Sequence, residues 1–447
     1  MKKILIANRG EIASRIIKTA RRLGIETVAI YSEADKDLPF VQEATHCYLV
    51  GEGPVQKSYL NQAKILEIAA KENVDAIHPG YGLLSENAAF CKAVQDHNIT
   101  WIGPSPETIS LMGEKIAARK VMSEAGVPVV PGNQTGIKDV EEALEFAKTI
   151  KFPIMLKASA GGGGVGLAIC RNEEELHKIF SSTKTRAKAY FQNDDVFIEK
   201  YIEKARHIEV QIVADSFGNT VHLFERDCSL QRRNQKVIEE TPAQMLREET
   251  KEKLYQHAIQ AARYVNYVNA GTIEFIVDAE ENIYFLEMNT RLQVEHPITE
   301  ELTGIDLVEW QIRIANGEEI PLKQKEIRKH GHAIEFRIYA ENPDTLLPSP
   351  GVITTLKWGN YESSRLDYGY KQGNQVTPFY DPLIAKYIAV GETKKECIDK
   401  ARTFFSETVI EGIKTNIPLM QRIVESDWFE KGDYTTQSLQ SLLPAKK

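Results

Sequence analysis

Residues 285–301, reading FLEMNTRLQVEHPITEE, constrain this chain more than any other stretch of its sequence. Glu287, Asn289 and Arg291 are spaced by two, and side chains at that spacing share one face of a β-strand. Glu287 stands among apolar residues, where a carboxylate is costly unless it binds something positive. The stretch therefore predicts a strand that carries two oxygen ligands and a guanidinium on one surface.

A second strand is predicted directly upstream. Residues 272–277 form a β-branched and aromatic run in which Glu274 is the only acid. If the two runs pair, Glu274 and Glu287 contribute one carboxylate each, and Asn289 adds an amide oxygen. Mg²⁺ accepts such oxygen ligands and still keeps positions for phosphate. A solvated strand face with ordinary ion pairs is the alternative.

Composition excludes several classes of protein. The length of 447 residues predicts roughly two to four domains. The net charge of −8 argues against a general nucleic-acid binder, since phosphate contacts need clustered lysine and arginine. The N-terminal apolar run is too short for a signal peptide, and no uncharged run approaches the ~18 residues that span a bilayer. The five dispersed cysteines lack CxxC spacing, which favours a cytoplasmic protein without a cysteine metal site.

Strands alternate with helices in the N-terminal part of the chain. Strands are predicted at 3–7, 26–31, 74–77 and 100–102, with helices at 11–23 and 59–71. This alternation predicts a parallel sheet covered on both faces, which binds ligands beyond the carboxyl ends of its strands. The loop at residues 8–11 has one glycine where the dinucleotide fingerprint needs three, so NAD binding there is excluded.

The middle of the chain predicts a lid over a nucleotide. A helix is predicted over residues 107–125, and strands over 152–157 and 167–170 flank a glycine run. The bare N–H groups of such a run can approach phosphate oxygens, and Lys157 stands at its base. No G-K-[ST] ending follows, so the run is not a P-loop. A flexible turn is the alternative.

The remaining segments predict more strands and another helix. They are a strand or hinge at 197–202, strands at 208–213, 221–224 and 333–339, a polar basic loop at 228–236 and a helix at 394–406. Clean alternation predicts that the strand at 208–213 is half exposed. Glu335 and Arg337 share one face of their strand, so Arg337 serves a site or simply pairs with Glu335.

Together, these motifs resemble biotin carboxylase, a family of the ATP-grasp superfamily, over nearly the full length. The motifs are IANRGEIA, HPGYGLLSEN, KASAGGGGVG, ERDCSLQRRNQK, EMNTRLQVEHPITEE and EGIKTN, and their order and spacing carry the resemblance. The resemblance implies an α/β fold with a Rossmann-like parallel-sheet N-terminal domain, an ATP-grasp region with a mobile glycine-rich lid, and a mixed α+β C-terminal domain. The implied boundaries are 1–113, 114–330 with the lid at about 130–203, and 331–447.

The resemblance also implies a reaction and its partners. ATP phosphorylates bicarbonate to carboxyphosphate, which then carboxylates biotin in the first half-reaction of an acetyl-CoA or other acyl-CoA carboxylase. The implied cofactors are ATP and Mg²⁺ or Mn²⁺. The implied partners are a biotin carboxyl carrier protein, carboxyltransferase subunits and a second copy of the chain, with no nucleic acid and no membrane. The sequence contains no Ala-Met-Lys-Met motif, so the biotin is expected on another protein.

By the same resemblance, each candidate site residue takes a role. ATP binding is implied for Lys115, Lys157, Gly163, Gly164, Glu199, Lys200, Tyr201, Ile202, His207, Glu274 and Glu287. Magnesium ligation is implied for Glu274, Glu287 and Asn289. Bicarbonate binding is implied for Lys236, Arg291, Gln293 and Val294, with Glu295 as the base that deprotonates it. Biotin binding is implied for Tyr81 and for Arg337, which stabilises the biotin enolate.

Two positions depart from the common family pattern. Val165 stands where many members carry a basic residue in the lid, and Asn234 stands where a histidine is usual. These departures motivate one alternative, a non-catalytic ATP-binding subunit, although the intact set of acids and arginines argues against it. A second alternative is another ATP-grasp ligase that activates a different carboxylate, against which the LQVEHP run and Arg337 argue.

Overall fold

The computed structural model describes residues 1–133, 135–159, 167–191, 193–232, 235–343 and 345–442. Four residues singled out in the sequence lie outside the described residues: Gly163, Gly164, Val165 and Asn234. Within the described ranges, no helix combines the length and the apolar character that a membrane crossing requires.

The N-terminal part is built on a parallel sheet, as predicted. Its strands are β1 (Lys3–Ile6), β2 (Glu26–Ser32), β3 (His46–Gly51), β4 (Ala76–His78) and β5 (Thr100–Trp101), in the order β3-β2-β1-β4-β5. Its helices are α1 (Gly10–Arg22), α2 (Pro39–Glu43), α3 (Gln62–Glu72), α4 (Ala88–Asp96) and α5 (Pro106–Gly113). Helix α1 buries Ile12, Ile16 and Ala20, which recur every four residues and form the face that packs on the sheet.

The helix predicted over residues 107–125 is two helices. Helix α5 ends at Gly113, and α6 (Lys115–Glu124) begins two residues later. Between them Glu114 has an extended backbone, and its carboxylate accepts hydrogen bonds from the amides of Ile116 and Ala117. The single-helix prediction was wrong because Glu114 acts as an N-terminal cap, which the apolar periodicity does not reveal. The break places Lys115 at the first position of α6.

A small antiparallel sheet follows. Its strands are β6 (Ile154–Ala158), β7 (Leu167–Cys170) and β8 (Val196–Lys200), in the order β7-β6-β8, with helices α7 (Val140–Ile150) and α8 (Glu173–Phe191) packed beside it. This unit has a core of its own, in which Ala143 and Ala147 of α7 pack with Ile154 and Leu156. It lies within the predicted lid, and the predicted domain boundaries stay predictions.

An eight-stranded antiparallel sheet forms the centre of the molecule. In chain order the remaining strands are β9 (Arg206–Ala214), β10 (Thr220–Arg232), β11 (Gln235–Thr241), β12 (Asn269–Val277), β13 (Ile283–Asn289), β14 (His332–Tyr339), β15 (Gly351–Val352), β16 (Thr355–Lys357), β17 (Arg365–Tyr368), β18 (Gln375–Val376), β19 (Leu383–Gly391) and β20 (Val409–Glu411). The central sheet runs β13-β12-β9-β10-β11-β14-β19-β17, while β15 pairs with β18 and β16 with β20. The remaining α-helices are α9 (Glu248–Tyr264), α10 (His296–Thr303), α11 (Leu307–Ala315), α12 (Lys394–Glu407), α13 (Ile417–Val424) and α14 (Asp427–Glu430).

The prediction that residues 208–213 are half exposed was wrong. Strand β9 is buried on both faces from His207 to its end. The polar residues of its alternation, Glu209 and Gln211, face the buried guanidinium of Arg226 instead of solvent. Period-two alternation marks a face that differs in chemistry, and here that face lies inside the protein.

The prediction of a polar loop at residues 228–236 was also wrong. Residues up to Arg232 continue β10, and β11 begins at Gln235, so the stretch belongs to two paired strands. One of the basic residues of this stretch, Lys236, lines a cavity between the sheets.

Candidate active site

A cavity of about 630 Å³ lies among the small sheet, the central sheet and the C-terminal segment. Of the predicted site residues, its lining contains Lys115, Lys157, Glu199, Lys200, Tyr201, Ile202, His207, Lys236, Glu274, Glu287, Asn289, Arg291, Gln293, Val294, Glu295 and Arg337. Motifs that are distant in sequence therefore meet in one place.

Tyr81 is not among the residues that line this cavity. Its hydroxyl donates a hydrogen bond to the carboxylate of Glu11 on α1. Burial, and then the negative charge of Glu11, raise the pKa of Tyr81 well above its ordinary value. The loop that follows β4 is also bonded to the loop between β1 and α1, because the Asn8 amide donates to the carbonyls of Pro79 and Tyr81 at 2.6 and 2.8 Å. The structure thus places Tyr81 in a contact within the N-terminal part.

Lys236 lies at the centre of the cavity's charges. Its ammonium donates to one oxygen of each of three buried acids: Glu209 at 2.5 Å, Glu274 at 2.7 Å and Glu295 at 2.6 Å. Burial opposes the charged form of Lys236, but the three carboxylates outweigh it and raise the lysine pKa well above its ordinary value. One permanent cation therefore joins acids from β9, β12 and the segment before α10.

Glu295 is held by a cation at each of its oxygens. Oε1 accepts from Lys236, and Oε2 accepts from Nη2 of Arg337 at 2.9 Å. Burial would raise the pKa of Glu295, but Lys236 and then Arg337 hold it well below its usual range. Glu295 is therefore ionised at neutral pH, and ligands that engage these cations can free a carboxylate oxygen to accept a proton.

Arg337 forms ion pairs with two acids, one on the neighbouring strand β11 and one in the segment before α10. Its Nη2 lies 2.5 Å from Glu239 and 2.9 Å from Glu295. Pairing with Glu335, which the sequence left open, is therefore not what the structure shows. Burial keeps the pKa of Glu239 above its ordinary value even beside this guanidinium.

Strands β12 and β13 pair, as the sequence predicted, and the register places Glu274 and Glu287 directly opposite each other. Glu274 is saturated: Oε1 accepts from Lys236, from Asn289 at 2.8 Å and from Gln293 at 2.7 Å, while Oε2 lies 3.0 Å from Nε2 of His207. Lys236 and His207 hold the pKa of Glu274 well below its ordinary value against the effect of burial.

Glu287 differs from its neighbour because it has no hydrogen-bond or ion-pair partner in the part of the chain that the structure describes. Burial, and then the charge of Glu274, raise the pKa of Glu287. Asn289 offers an amide oxygen nearby, which accepts from Arg291 at 2.8 Å and retains a second lone pair. An unpartnered carboxylate beside two further oxygen donors fits a divalent cation such as Mg²⁺.

Two lysines, one from α6 and one from β6, face the cavity. Lys115 lacks a hydrogen-bond or ion-pair partner among the described residues; burial lowers its pKa, Lys157 adds to that effect and Glu287 opposes it. Lys157 pairs with Glu199, which also pairs with Arg119. Both ammonium groups are positively charged donors on the surface of the cavity, which is what the binding of phosphate oxygens requires.

The end of β8, the residues that follow it and the neighbouring His207 also line the cavity. The ammonium of Lys200 donates to the carbonyls of Lys151 and Phe152 at 3.0 and 3.1 Å, so it braces the turn before β6. Nδ1 of His207 lies 3.0 Å from the Gln231 amide. Burial disfavours the charged ring, but the carboxylate of Glu274 outweighs it and raises the pKa of His207.

The sequence did not reveal several partners of the predicted residues. Glu86, from the N-terminal part, accepts from Nε of Arg291 at 2.9 Å. Glu239 pairs with Arg337, and Asp381 lines the cavity from the chain just before β19. Only Glu209 had a usable signal, because it shares one face of an alternating strand with Gln211.

Comparisons with known proteins cover the whole chain. Residues 1–109 match the family "Biotin carboxylase, N-terminal domain", residues 114–323 match "Carbamoyl-phosphate synthase L chain, ATP binding domain", and residues 335–441 match "Biotin carboxylase C-terminal domain". "Biotin carboxylase 2" of Bacillus subtilis is 55% identical over 441 residues, which cover 99% of each chain.

Two solved structures resemble the fold closely. One is the biotin carboxylase domain dimer of Hydrogenobacter thermophilus 2-oxoglutarate carboxylase, in complex with MgADP, ADP and bicarbonate. Its TM-score is 0.96 at 45% identity, over 98% of this chain and 97% of that chain. The other is a biotin carboxylase–β-γ-ATP complex from Campylobacter jejuni, with a TM-score of 0.96 at 43% identity over 98% of both chains.

Proposed function

The chain belongs to the biotin carboxylase family, and we propose that its cavity is where bicarbonate, ATP and biotin meet. The enzyme is an ATP-dependent ligase that carboxylates biotin. The observation that carries the site assignment is the carboxylate of Glu295, which is held between the cations of Lys236 and Arg337. Glu295 can act as a base, Lys236 can bind the incoming bicarbonate, and Arg337 can stabilise the biotin enolate. The arrangement therefore suits both the phosphorylation of bicarbonate and the carboxylation of biotin.

Bicarbonate binds at the ammonium of Lys236 and at the donors of Arg291 and Gln293, beside Val294. As bicarbonate engages Lys236, the Oε1 atom of Glu295 is released from that ammonium and takes the bicarbonate proton. The resulting carbonate dianion is the nucleophile. The positive charges of Lys236 and Arg291 offset the repulsion between this dianion and the nucleotide.

ATP lies across the other half of the cavity. Lys115 and Lys157 hold its phosphates, and the segment from Glu199 to Ile202, with His207, takes the nucleoside side. Phosphoryl transfer to bicarbonate gives carboxyphosphate and ADP, a step that depends mainly on positioning and on neutralisation of charge. Gly163 and Gly164 are assigned to the phosphates by the resemblance alone.

Glu287, Glu274 and Asn289 would hold magnesium. When bound, Mg²⁺ neutralises phosphate charge and orients the nucleotide. The Glu287 carboxylate can bind the ion directly, whereas Glu274 must first give up hydrogen bonds that it accepts from protein side chains.

Biotin receives its carboxyl group next to Arg337. The C–O bond of carboxyphosphate breaks as the carboxyl group passes to a ureido nitrogen. The departing phosphate takes the N–H proton of that nitrogen, and the ureido oxygen carries the enolate charge that forms on the way. The guanidinium of Arg337 is placed to stabilise that charge while it remains near Glu295.

The partners follow from this chemistry. We propose a biotin carboxyl carrier protein, a carboxyltransferase that selects acetyl-CoA or another acceptor, a homodimer and a cytoplasmic location. The H. thermophilus domain, 45% identical to this chain, is described as a dimer, which supports the homodimer. The dispersed cysteines support the location.

The test of the proposed function is ADP release by the purified chain with MgATP and bicarbonate, with and without free biotin. Stimulation by biotin that requires bicarbonate is the expected result. Release that ignores bicarbonate but responds to a different carboxylate would assign the chain to another ATP-grasp ligase. Nucleotide binding without any release would leave a non-catalytic subunit.

Replacing Glu287 with glutamine should raise the Mg²⁺ concentration needed for half-maximal ADP release by about tenfold or more, because the open carboxylate is lost. A Mg²⁺ titration at fixed ATP measures this. The matched control is Glu280→Gln, an exposed acid in the turn that joins the same two strands. An unchanged Mg²⁺ requirement in Glu287→Gln would remove this residue from the metal site.

A further inference from the structure

Two fully buried cations reach residues 293–295 from behind the cavity. Arg226 on β10 and Lys386 on β19 are both 0% exposed, and neither lines the cavity. Arg226 contacts the side chain of Gln293, and Lys386 contacts the backbone of Val294. Burial of an unpaired cation is costly, so each needs partners inside the protein, and those partners reveal its role.

Every N–H of the Arg226 guanidinium has an acceptor. The five bonds go to Glu209 at 2.5 Å, Gln211 at 2.8 Å, Thr299 at 2.9 Å, Thr272 at 3.1 Å and Gln293 at 2.6 Å. A guanidinium has five donors in a rigid plane, and all of them are used. Arg226 therefore joins two strands of the sheet to the start of α10 in one geometry.

This arrangement decides which end of the Gln293 amide faces the cavity. Because a guanidinium only donates, Gln293 must turn its oxygen towards Arg226. Its Nε2 then points the other way and donates to Glu274 at 2.7 Å. The bond from Arg226 to Oε1 of Glu209 likewise leaves Oε2 for Lys236. Two contacts on the bicarbonate side of the cavity thus depend on one buried side chain.

Lys386 holds the next residue through its carbonyl group. The ammonium donates to the Val294 carbonyl at 2.8 Å and lies 3.2 Å from Oε1 of Glu11 on α1. Glu11 is in turn the acceptor for Tyr81. The peptide that leads into Glu295 is therefore tied to the N-terminal part of the molecule through one lysine.

Residues 293–295 need such ties because they lie between elements. Strand β13 ends at Asn289, and α10 begins at His296, so no strand ladder holds the segment. We propose that Arg226 and Lys386 are positioning residues that hold Gln293, Val294 and Glu295 where they bind bicarbonate and take its proton. The inference rests on the proposed function and extends it to two residues that touch no substrate.

The test variants remove the contacts of Arg226 or Lys386 with residues 293–294 without leaving an unpaired charge buried in the protein. Arg226→Lys keeps the positive charge but offers three donors for five acceptors. Lys386→Met with Glu11→Gln removes the cation and its acid together, and glutamine still accepts from Tyr81. The matched control is Lys394→Met with Glu240→Gln, because Lys394 pairs at 2.7 Å with the equally buried Glu240 and neither residue lines the cavity.

Steady-state ADP release gives the KM for bicarbonate, and equilibrium binding of a fluorescent ATP analogue reports the nucleotide side. We expect both test variants to raise the bicarbonate KM by about tenfold or more, since they displace groups that bind the anion, and loss of one hydrogen bond to a charged group costs about that factor in affinity. Nucleotide affinity should stay within about twofold in all variants, and the control should keep the bicarbonate KM of the wild type.

Two results would overturn the inference. One is a bicarbonate KM in either folded test variant that matches that of the control. The other is a loss of nucleotide affinity in step with the rise in KM, which would indicate a general structural role. If one variant fails to fold, the other decides. A wild-type enzyme without bicarbonate-dependent ADP release would instead contradict the proposed function.

Discussion

Replacing Glu295 with glutamine should lower biotin-dependent ADP release by about a thousand-fold, which is the scale of a lost general base. Glutamine has the same shape, and its amide oxygen can still accept a hydrogen bond from Lys236 or Arg337. It cannot take the bicarbonate proton. ATP affinity should therefore stay within about twofold, because the role proposed for Glu295 is to deprotonate bicarbonate and not to hold the nucleotide.

The measurement is the steady-state rate at saturating MgATP and bicarbonate, with biotin varied. Glu252→Gln is the control, because Glu252 is exposed on α9 outside this cavity. Glu295 is held ionised by its two cations, so the wild-type rate should not fall with acidification near neutrality on account of this group. A Glu295→Gln rate within tenfold of the wild type would assign the base role to another residue.

The local pattern of the sequence was sufficient to predict the strand pair that carries the proposed magnesium ligands. Residues spaced by two on β13 share a face, and the predicted pairing with β12 places Glu274 opposite Glu287. The parallel N-terminal sheet follows in the same way from the alternation of strands and helices. These features depend on neighbours along the chain or on one adjacent strand.

The partners of the site residues depend on tertiary structure, and so the sequence could not supply them. Glu86 reaches Arg291 from a part of the chain some two hundred positions away, and Glu239 meets Arg337 only because β11 lies beside β14. The burial of β9 was missed for the same reason. Its polar face is covered by Arg226, which no periodicity in β9 itself can indicate.

Replacing Lys236 with methionine should lower the rate at a given bicarbonate concentration by about a thousand-fold or more, because removal of one partner leaves buried charges uncompensated. Lys236 holds three carboxylates, and a bicarbonate anion entering without it meets their combined repulsion. The three carboxylates can become protonated when the lysine is absent, which relieves their repulsion without unfolding the protein. The variant should therefore still bind nucleotide.

The pH dependence of Lys236→Met separates this explanation from a general loss of structure. Lys236 is the leading charge that holds the pKa of Glu295 down, and burial pushes that pKa up. Without the lysine the pKa of Glu295 rises, so a larger share of the base is protonated near neutrality. The remaining activity should therefore increase with rising pH over a range where the wild type is flat.

Lys236→Arg supplies the conservative comparison for this pH profile, and Lys251→Met supplies the control. The arginine keeps a positive charge beside Glu295, so its activity should be reduced without the climb towards alkaline pH. Lys251 is a buried lysine that pairs with Glu248 on α9 and does not line the cavity, so its loss should leave the profile unchanged. If Lys236→Met instead followed the wild-type pH profile at a uniformly lower rate, the lysine would act on bicarbonate alone, and the ionisation of Glu295 would depend on Arg337.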